Sequence, residues 1–169
     1  KLYDNGKFGL TDRVSDYIPV LKGTGKERIT IEELLMHQSG LPAFWPFYKK
    51  AIDEESYAGA FYRTRPDAGH HRQIDTRLFV IDHFGYKKEL VSKVFSSDYP
   101  LLVSDSMYLH RSFRDSVLQQ IAGVPLKDRR YRYSDLNFIL LREIVENITK
   151  IPMNIFLQKE FYKPMKMEH

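Results

Sequence analysis

Residues 133–149 read Tyr-Ser-Asp-Leu-Asn-Phe-Ile-Leu-Leu-Arg-Glu-Ile-Val-Glu-Asn-Ile-Thr, and this stretch has the clearest periodicity in the chain. Four aliphatic side chains recur every fourth residue and so share one helix face: Leu136, Leu140, Ile144 and Ile148. Ser134 or Asp135 can cap the N-terminus, because both side chains accept hydrogen bonds from free backbone N–H groups. The sequence therefore predicts an amphipathic helix over 135–149, with Tyr133 at its head.

A second helix signal lies nearer the start, where residues 30–42 read Thr-Ile-Glu-Glu-Leu-Leu-Met-His-Gln-Ser-Gly-Leu-Pro. Thr30 and Glu33 have the spacing of a capping box, in which each side chain bonds the other residue's backbone N–H. We predict a helix that begins after Thr30 and stops near Ser39 and Gly40.

Length and composition favour one folded domain over residues 1–169. The chain is 43% hydrophobic and 14% aromatic, which is enough to build a core and argues against disorder. The net charge of +4 is spread along the chain, and the basic run at 127–132 is typical of a solvated loop rather than a nucleic-acid interface. The absence of Cys excludes disulfides and thiolate metal sites, and no apolar run approaches the ~20 residues of a membrane span.

The remaining signals are weaker, and most of them favour helix. We expect short or partial helices at 10–17, 44–52, 87–95 and 106–122, and one that begins at Pro152. Residues 63–77 are polar and predict a mobile loop or insertion, and residues 100–103 predict a short extended piece. Residues 1–7 read as the last turn of a helix with Gly6 as its C-cap. The prediction is six or seven helices, few strands and no internal repeat.

Tyr133 allows two interpretations from the residues alone. It is either a general base or acid beside a nucleophile, or a core tyrosine with a tethered hydroxyl. The helix dipole at its position favours phenolate. A free tyrosine has a pKa of about 10, however, so a base at neutral pH also needs nearby cations.

Other candidate sites are weak. Ser39 and His37 do not form a nucleophile and base, because residues two apart on a helix face different directions. The adjacent pair His70 and His71 lacks a third metal ligand, so we predict no metal site. Trp45 belongs to an aromatic cluster at 44–48 that packs in a core or forms the wall of a substrate cleft.

Four segments, in this order, resemble the serine β-lactamase-like superfamily, which includes class C β-lactamases, penicillin-binding proteins and related esterases. They are similar to the turn after the nucleophile helix, the Thr-Ile-x-x-Leu-Leu-x-His-x-Ser-Gly-Leu segment, the Tyr-x-Asn motif and the Phe-x-x-Pro-Leu-Gly-Met segment. The matching residues are 6–14, 29–42, 132–135 and 161–167.

The resemblance implies acyl transfer, in which the serine of a Ser-x-x-Lys motif attacks a carbonyl while its lysine and the motif tyrosine shuttle protons. Tyr133 then becomes the catalytic residue. The chain contains no Ser-x-x-Lys and no Lys/His-Thr-Gly strand motif. We therefore expect a fragment between those motifs that is inactive in isolation. Its fold class would be mainly α, a helical subdomain of the β-lactamase/transpeptidase-like fold that lacks most of the β-sheet lobe.

The resemblance also proposes substrate-binding residues. Asp135 stands where class C enzymes have Asn, and an ionised carboxylate accepts hydrogen bonds but cannot donate them. β-Lactam side-chain recognition is therefore in doubt, and an esterase or D-peptidase is favoured. Asn137 is a candidate substitute for the missing amide, and Trp45 is a candidate cleft wall. The substrate would be a small molecule or peptide, with no cofactor, metal or nucleic acid, in a periplasmic or secreted protein.

Two rival hypotheses remain. The first is a non-catalytic binding or sensor domain on the same fold. The second is an unrelated helical interaction domain, which predicts that Tyr133 is fully buried.

Overall fold

The computed structural model describes residues 1–167, and the chain divides into two compact units. The first unit combines Lys1–Trp45 with the chain from Leu118 onward, and the second is Pro46–Val117. The second unit interrupts the first in sequence. The single domain over 1–169 stays a prediction.

Five α-helices lie within the described residues. They are α1 (Val14–Tyr17), α2 (Ile31–Leu35), α3 (Phe113–Gly123), α4 (Asp135–Thr149) and α5 (Met153–Leu157). Short 3-10 turns occupy Pro19–Leu21, Phe47–Ala51 and Glu54–Ser56, and a π-helical turn, Gln158–Tyr162, follows α5. None of the helices in residues 1–167 combines the length and apolar character needed to cross a membrane.

Eight short strands form three antiparallel sheets, all in the second unit. They are β1 (Ile52–Asp53), β2 (Tyr62–Arg63), β3 (Arg72–Asp75), β4 (Leu78–Val80), β5 (Gly85–Tyr86), β6 (Val91–Ser92), β7 (Leu101–Ser104) and β8 (Met107–Leu109). The sheet orders are β1-β5, β2-β4-β3 and β6-β8-β7. The chain is 34% helix and 16% strand, so the prediction of a mainly α fold is wrong.

Two segments of the second unit account for much of the error. Residues 63–77, expected to be a mobile loop, hold the end of β2 and all of β3, and residues 87–95, expected to be a helix, contain β6. Strands of two to four residues are too short to show the alternation of apolar and polar side chains that identifies a strand in sequence. The extended piece at 100–103 is confirmed as part of β7.

The two three-stranded sheets repeat one arrangement with an offset of 29 positions. Tyr62 pairs with Val80 in the first sheet, and Val91 pairs with Leu109 in the second. The register also shifts at matching places, between 73 and 75 and between 102 and 104. The structure thus contains a repeat of strand pairing although none is evident in the sequence. The two copies preserve backbone pairing rather than residue identity, so the sequence does not reveal the repeat.

The first unit packs around α4, whose bounds match the predicted 135–149. Aliphatic side chains from α1, α2, α3, α4 and their connections form its core: Val14, Ile18, Leu21, Ile29, Ile31, Leu34, Leu41, Ile121, Val124, Leu136, Leu140 and Ile144. Asn147 on α4 donates to the Tyr17 carbonyl at 2.9 Å and so connects α4 to α1. Ile148, predicted to share the buried face, is only half-buried.

Helix boundaries follow local chemistry. The capping box at Thr30 and Glu33 is confirmed, with both reciprocal hydrogen bonds present. The helix it starts ends at Leu35, earlier than expected. α3 begins at Phe113 rather than 106, because residues 107–109 pair as β8. Gly6 has φ +65, and the Lys7 N–H bonds the Leu2 carbonyl as in a helix C-cap.

Candidate functional site

Tyr133 lies two residues before the first residue of α4, and its side chain is 52% exposed. Its ring contacts that of His37, with centroids 4.8 Å apart and planes inclined by 38°. The ring of Phe138, in the first turn of α4, is a second aromatic neighbour of Tyr133, with ring centroids 6.0 Å apart. The exposure contradicts the hypothesis of an unrelated domain with a fully buried Tyr133.

Backbone hydrogen bonds fix the position of Tyr133 by joining segment 37–43 to segment 127–135. The Arg132 N–H donates to the His37 carbonyl at 2.8 Å, and the Asp135 N–H donates to the Ala43 carbonyl at 2.9 Å. These two bonds flank Tyr133 on either side. The tyrosine is thus attached to a rigid frame although its ring reaches solvent.

Ser134 strengthens this junction rather than capping α4. It occupies the N-cap position, but its side chain makes no capping hydrogen bond. Its hydroxyl donates instead to the Pro42 carbonyl at 2.7 Å, and its N–H donates to His37 Nδ1 at 3.2 Å. The side chain is fully buried. The expected capping role of Ser134 is therefore wrong, and its hydroxyl is committed to segment 37–43.

Asn137 lies in the interior of the first unit. Its side chain is 0% exposed, and its amide nitrogen approaches the Leu34 carbonyl and His37 Nδ1, each at 3.0 Å. Its amide oxygen accepts from the Ser39 hydroxyl at 2.7 Å. A substrate has no access to this amide here, so we do not retain Asn137 as a substrate-binding residue. Ser39 is buried as well, and it bonds Asn137 rather than His37.

Asp135 sets the electrostatics of the candidate site. Its carboxylate accepts a hydrogen bond from Tyr133, and this bond is the main cause that raises the pKa of the phenol; partial burial and the negative charge add to it. The effect opposes the phenolate that the helix dipole was expected to favour. The raised pKa favours the protonated phenol of Tyr133. Asp135 itself is exposed.

Trp45 is half-buried and is the last residue of the first segment of the first unit. Its proposed place in a cleft wall stays a prediction.

The second unit contains an apolar pocket of about 300 Å³ that sequence reasoning missed. Aromatic and aliphatic side chains line it, among them Phe61, Phe84, Met107 and Phe113. Its polar feature is the Tyr62 hydroxyl, which donates to the Tyr48 hydroxyl at 2.6 Å. Burial raises the pKa of Tyr62, and the bond to Tyr48 adds to this rise. Six strands, β1, β2, β5, β6, β7 and β8, contribute residues to the pocket wall, and of these only β7 was expected, as the extended piece at 100–103.

The two adjacent histidines have separate carboxylate partners. His70 Nδ1 lies 2.7 Å from Asp67, and His71 Nδ1 lies 2.6 Å from Asp82. Across residues 1–167, no group of three or more His, Asp or Glu side chains is arranged to hold a metal ion.

Comparison with known proteins identifies relatives along the whole chain. The chain is 24% identical over 178 residues to an N-acetylmuramyl-L-alanine amidase of Bacillus subtilis (strain 168) and to a putative D-alanyl-D-alanine carboxypeptidase of Salmonella heidelberg (strain SL476). Both matches cover 100% of this chain, but only 28% and 29% of the two relatives. The chain thus spans less than a third of the length of these curated proteins.

A solved structure supports the same fold. It is EstCE1, described as a hydrolase with promiscuous acyltransferase activity, which is 19% identical and superposes with a TM-score of 0.52. The superposition covers 99% of this chain and 34% of that protein. The family model described as Beta-lactamase matches residues 1–169. The resemblance seen in the four sequence segments is thereby confirmed, and the chain belongs to the Beta-lactamase family.

Proposed function

We propose that this chain is part of a serine hydrolase that cleaves ester or D-peptide bonds by acyl transfer, with Tyr133 as a proton-transferring residue. The observation that carries the proposal is the exposed Tyr133 held at the head of α4 by segment 37–43. A side chain that exchanges protons with a substrate must reach solvent and yet keep a fixed direction. Tyr133 meets both conditions.

The chemistry requires a serine that the chain does not supply. That serine would attack the carbonyl carbon, and the bond to the leaving oxygen or nitrogen would break as the leaving atom takes a proton. Tyr133, with its pKa raised by Asp135, is suited to donate that proton. To act as a base it would need a neighbouring cation, such as the lysine of the Ser-x-x-Lys motif that the family resemblance implies.

The same proposal covers the other candidate site residues and the cellular location. Asp135 would orient the Tyr133 hydroxyl or bind substrate, and Trp45 would form a cleft wall. Without Ser-x-x-Lys, the isolated chain should not hydrolyse esters. We propose a periplasmic or secreted location, because the relatives are named for N-acetylmuramyl-L-alanine and D-alanyl-D-alanine chemistry.

The first experiment is intact-mass spectrometry of the full-length protein that carries this chain. It would be incubated with a serine-reactive phosphonate and, separately, with a penicillin. We expect one phosphonate adduct on a serine outside residues 1–169, and the penicillin result then separates esterase or peptidase chemistry from β-lactam chemistry. No adduct with either reagent would contradict acyl transfer.

The role of Tyr133 is tested by Tyr133→Phe, with Tyr131→Phe as the matched control. Tyr131 lies two positions upstream and is 72% exposed, so both variants lose one exposed phenolic hydroxyl. We expect Tyr133→Phe to lower kcat for a nitrophenyl ester by about 100-fold or more, the scale of general acid–base catalysis. Tyr131→Phe should stay within about twofold of the unmodified enzyme, a difference of roughly 0.4 kcal/mol in the barrier.

A second candidate function is a non-catalytic binding or sensor domain. The observation that favours it is the apolar pocket of the second unit, which has the size and lining of a small-ligand site. This function predicts no adduct with either serine reagent.

A further inference from the structure

His37 has an unusual backbone conformation for its residue type. Its φ is +54°, in the left-handed region that costs a non-glycine residue energy. Hydrogen bonds hold it there on both sides, because its N–H donates to the Leu34 carbonyl at 3.2 Å and its carbonyl accepts from the Arg132 N–H at 2.8 Å. Such a conformation persists where the surrounding structure fixes it.

The protonation pattern of the His37 ring follows from its partners. The Ser134 N–H can only donate, so Nδ1 must offer its lone pair at 3.2 Å. The Asn137 amide nitrogen adds a second donor at 3.0 Å. The amide cannot be turned around, because its oxygen would then face the Leu34 carbonyl and lose the Ser39 hydroxyl. The ring is therefore the tautomer with its proton on Nε2.

The ring held in this way lies in the middle of an aromatic cluster. Its centroid is 4.8 Å from that of Tyr133, 5.3 Å from that of Phe138 and 6.3 Å from that of Tyr131. The His37 ring is thus the nearest aromatic neighbour of Tyr133 in this cluster. The hydroxyl of a tyrosine lies at the end of the ring axis, so a contact that fixes the position of the half-exposed ring also fixes where the hydroxyl oxygen lies.

We propose that His37 is a positioning residue that directs the Tyr133 hydroxyl, its own ring being fixed by Ser134 and Asn137. This inference rests on the proposed function of Tyr133. In this proposal the histidine of the His-x-Ser-Gly segment does not contact substrate. It acts through Tyr133. The hydrogen bonds from Ser39 to Asn137 and from Asn137 to His37 then connect the interior of the first unit to the exposed phenol of Tyr133.

Two variants of the full-length protein separate the ring contact from the hydrogen bonds. His37→Asn keeps a side-chain acceptor and a residue that tolerates positive φ, but removes the ring. His37→Phe keeps a ring but removes the acceptor. Since a small misplacement of a reacting group can cost on the order of 100-fold, we expect His37→Asn to lower kcat by about 10–100-fold with KM within about threefold. His37→Phe should lose less than about tenfold in kcat, although its thermal midpoint should fall because two buried donors are left unpaired.

Three outcomes decide between the explanations. A His37→Asn enzyme with normal kcat and only a lowered thermal midpoint would overturn the positioning role, because a merely structural residue behaves that way. If Tyr133→Phe itself retains kcat, the proposed function fails whatever His37 does. If Tyr133→Phe loses kcat and His37→Asn does not, only the present inference fails.

A spectroscopic test does not depend on the folding of any variant. Nitrogen-15 NMR of the unmodified protein reports the His37 tautomer, and ring-to-ring nuclear Overhauser effects report its contact with Tyr133. We expect an unprotonated Nδ1 and a direct cross-peak between the two rings. A protonated Nδ1, or the absence of that cross-peak, would overturn the inference.

Discussion

Gly40 and Lys127 approach so closely that a side-chain carbon built on Gly40 would lie 2.5 Å from the Lys127 carbonyl oxygen. The Lys127 N–H also donates to the Gly40 carbonyl at 2.8 Å, and Gly40 has φ +78. The two segments that hold Tyr133 therefore meet at a position that only glycine fits without a backbone shift.

Gly40→Ala should destabilise the chain by about 2–4 kcal/mol, through backbone strain together with the collision with Lys127. The matched control is Gly23→Ala, because Gly23 has φ +71 but open space around its missing side chain. The control should cost only the strain of the left-handed conformation, about 1–2 kcal/mol. Chemical denaturation of both variants measures the difference, and equal losses would contradict the close approach.

Asn137→Ala should be among the most destabilising polar substitutions in α4, at about 2–4 kcal/mol. It removes the bond to the Leu34 carbonyl, the donor to His37 and the acceptor of the buried Ser39 hydroxyl. Asn147→Ala, on the same helix, is the control, since Asn147 is exposed and its amide bonds the Tyr17 carbonyl. We expect a cost of about 1 kcal/mol or less for the control. Similar midpoints for the two variants in urea would show that the buried network contributes little.

Asp135→Asn should lower the pKa of Tyr133, because the hydrogen bond to the Asp135 carboxylate is the main cause of its present rise. The substitution also introduces the residue found in the family's Tyr-x-Asn motif. The pKa is measured from the chemical shift of the labelled tyrosine ring during a pH titration. Asp16→Asn is a suitable control, since Asp16 is an exposed carboxylate in α1. A Tyr133 titration unchanged by Asp135→Asn would exclude the carboxylate as the cause.

His70 should make the stability of the second unit depend on pH. Its two ring nitrogens face the Asp67 carboxylate and the Ala60 carbonyl, each at 2.7 Å, so both are satisfied only when both carry protons. The bond to Asp67 is the main cause that raises the pKa of His70 above its ordinary value of 6.5, while the nearby cation Arg63 opposes the rise.

A pKa that is higher in the folded state contributes stability below the unfolded value of 6.5, and this contribution is lost as pH rises through the folded value. The thermal midpoint of the chain should therefore exceed that of His70→Gln most at about pH 6, and the gap should narrow toward about pH 9. Exposed His83→Gln serves as the control. A gap that widens with pH would contradict the protonated His70.

The sequence predicts the first unit well because its signals are local. α4 matches residues 135–149, and the capping box at Thr30 and Glu33 forms as expected, since both depend on spacings of three or four residues. The second unit was misjudged because β6 has only two residues, and they pair with β8 residues 18 and 16 positions away. No local pattern marks such a strand.

In the candidate site, too, features set by local sequence could be predicted and features set by distant partners could not. The exposed position of Tyr133 follows from its place ahead of an amphipathic helix together with the family resemblance. The interior position of Asn137 and the ring contact of His37 do not follow, because each depends on a partner about 100 positions away. The loss of the expected Ser134 cap has the same origin, since the hydroxyl is turned toward the Pro42 carbonyl, 92 positions away in sequence.

The interruption of the first unit by Pro46–Val117 bears on how the protein is made. The bond from Asn137 to Leu34 spans 103 positions, so α2 must wait until the ribosome has released the whole second unit and α4. Until then its apolar face has no α4 to cover it. Contacts of such separation slow folding, and a nascent chain with uncovered apolar surface is prone to aggregate. The Tyr133 site should therefore form late during synthesis, and the yield of correctly folded protein should depend on translation rate and on chaperones.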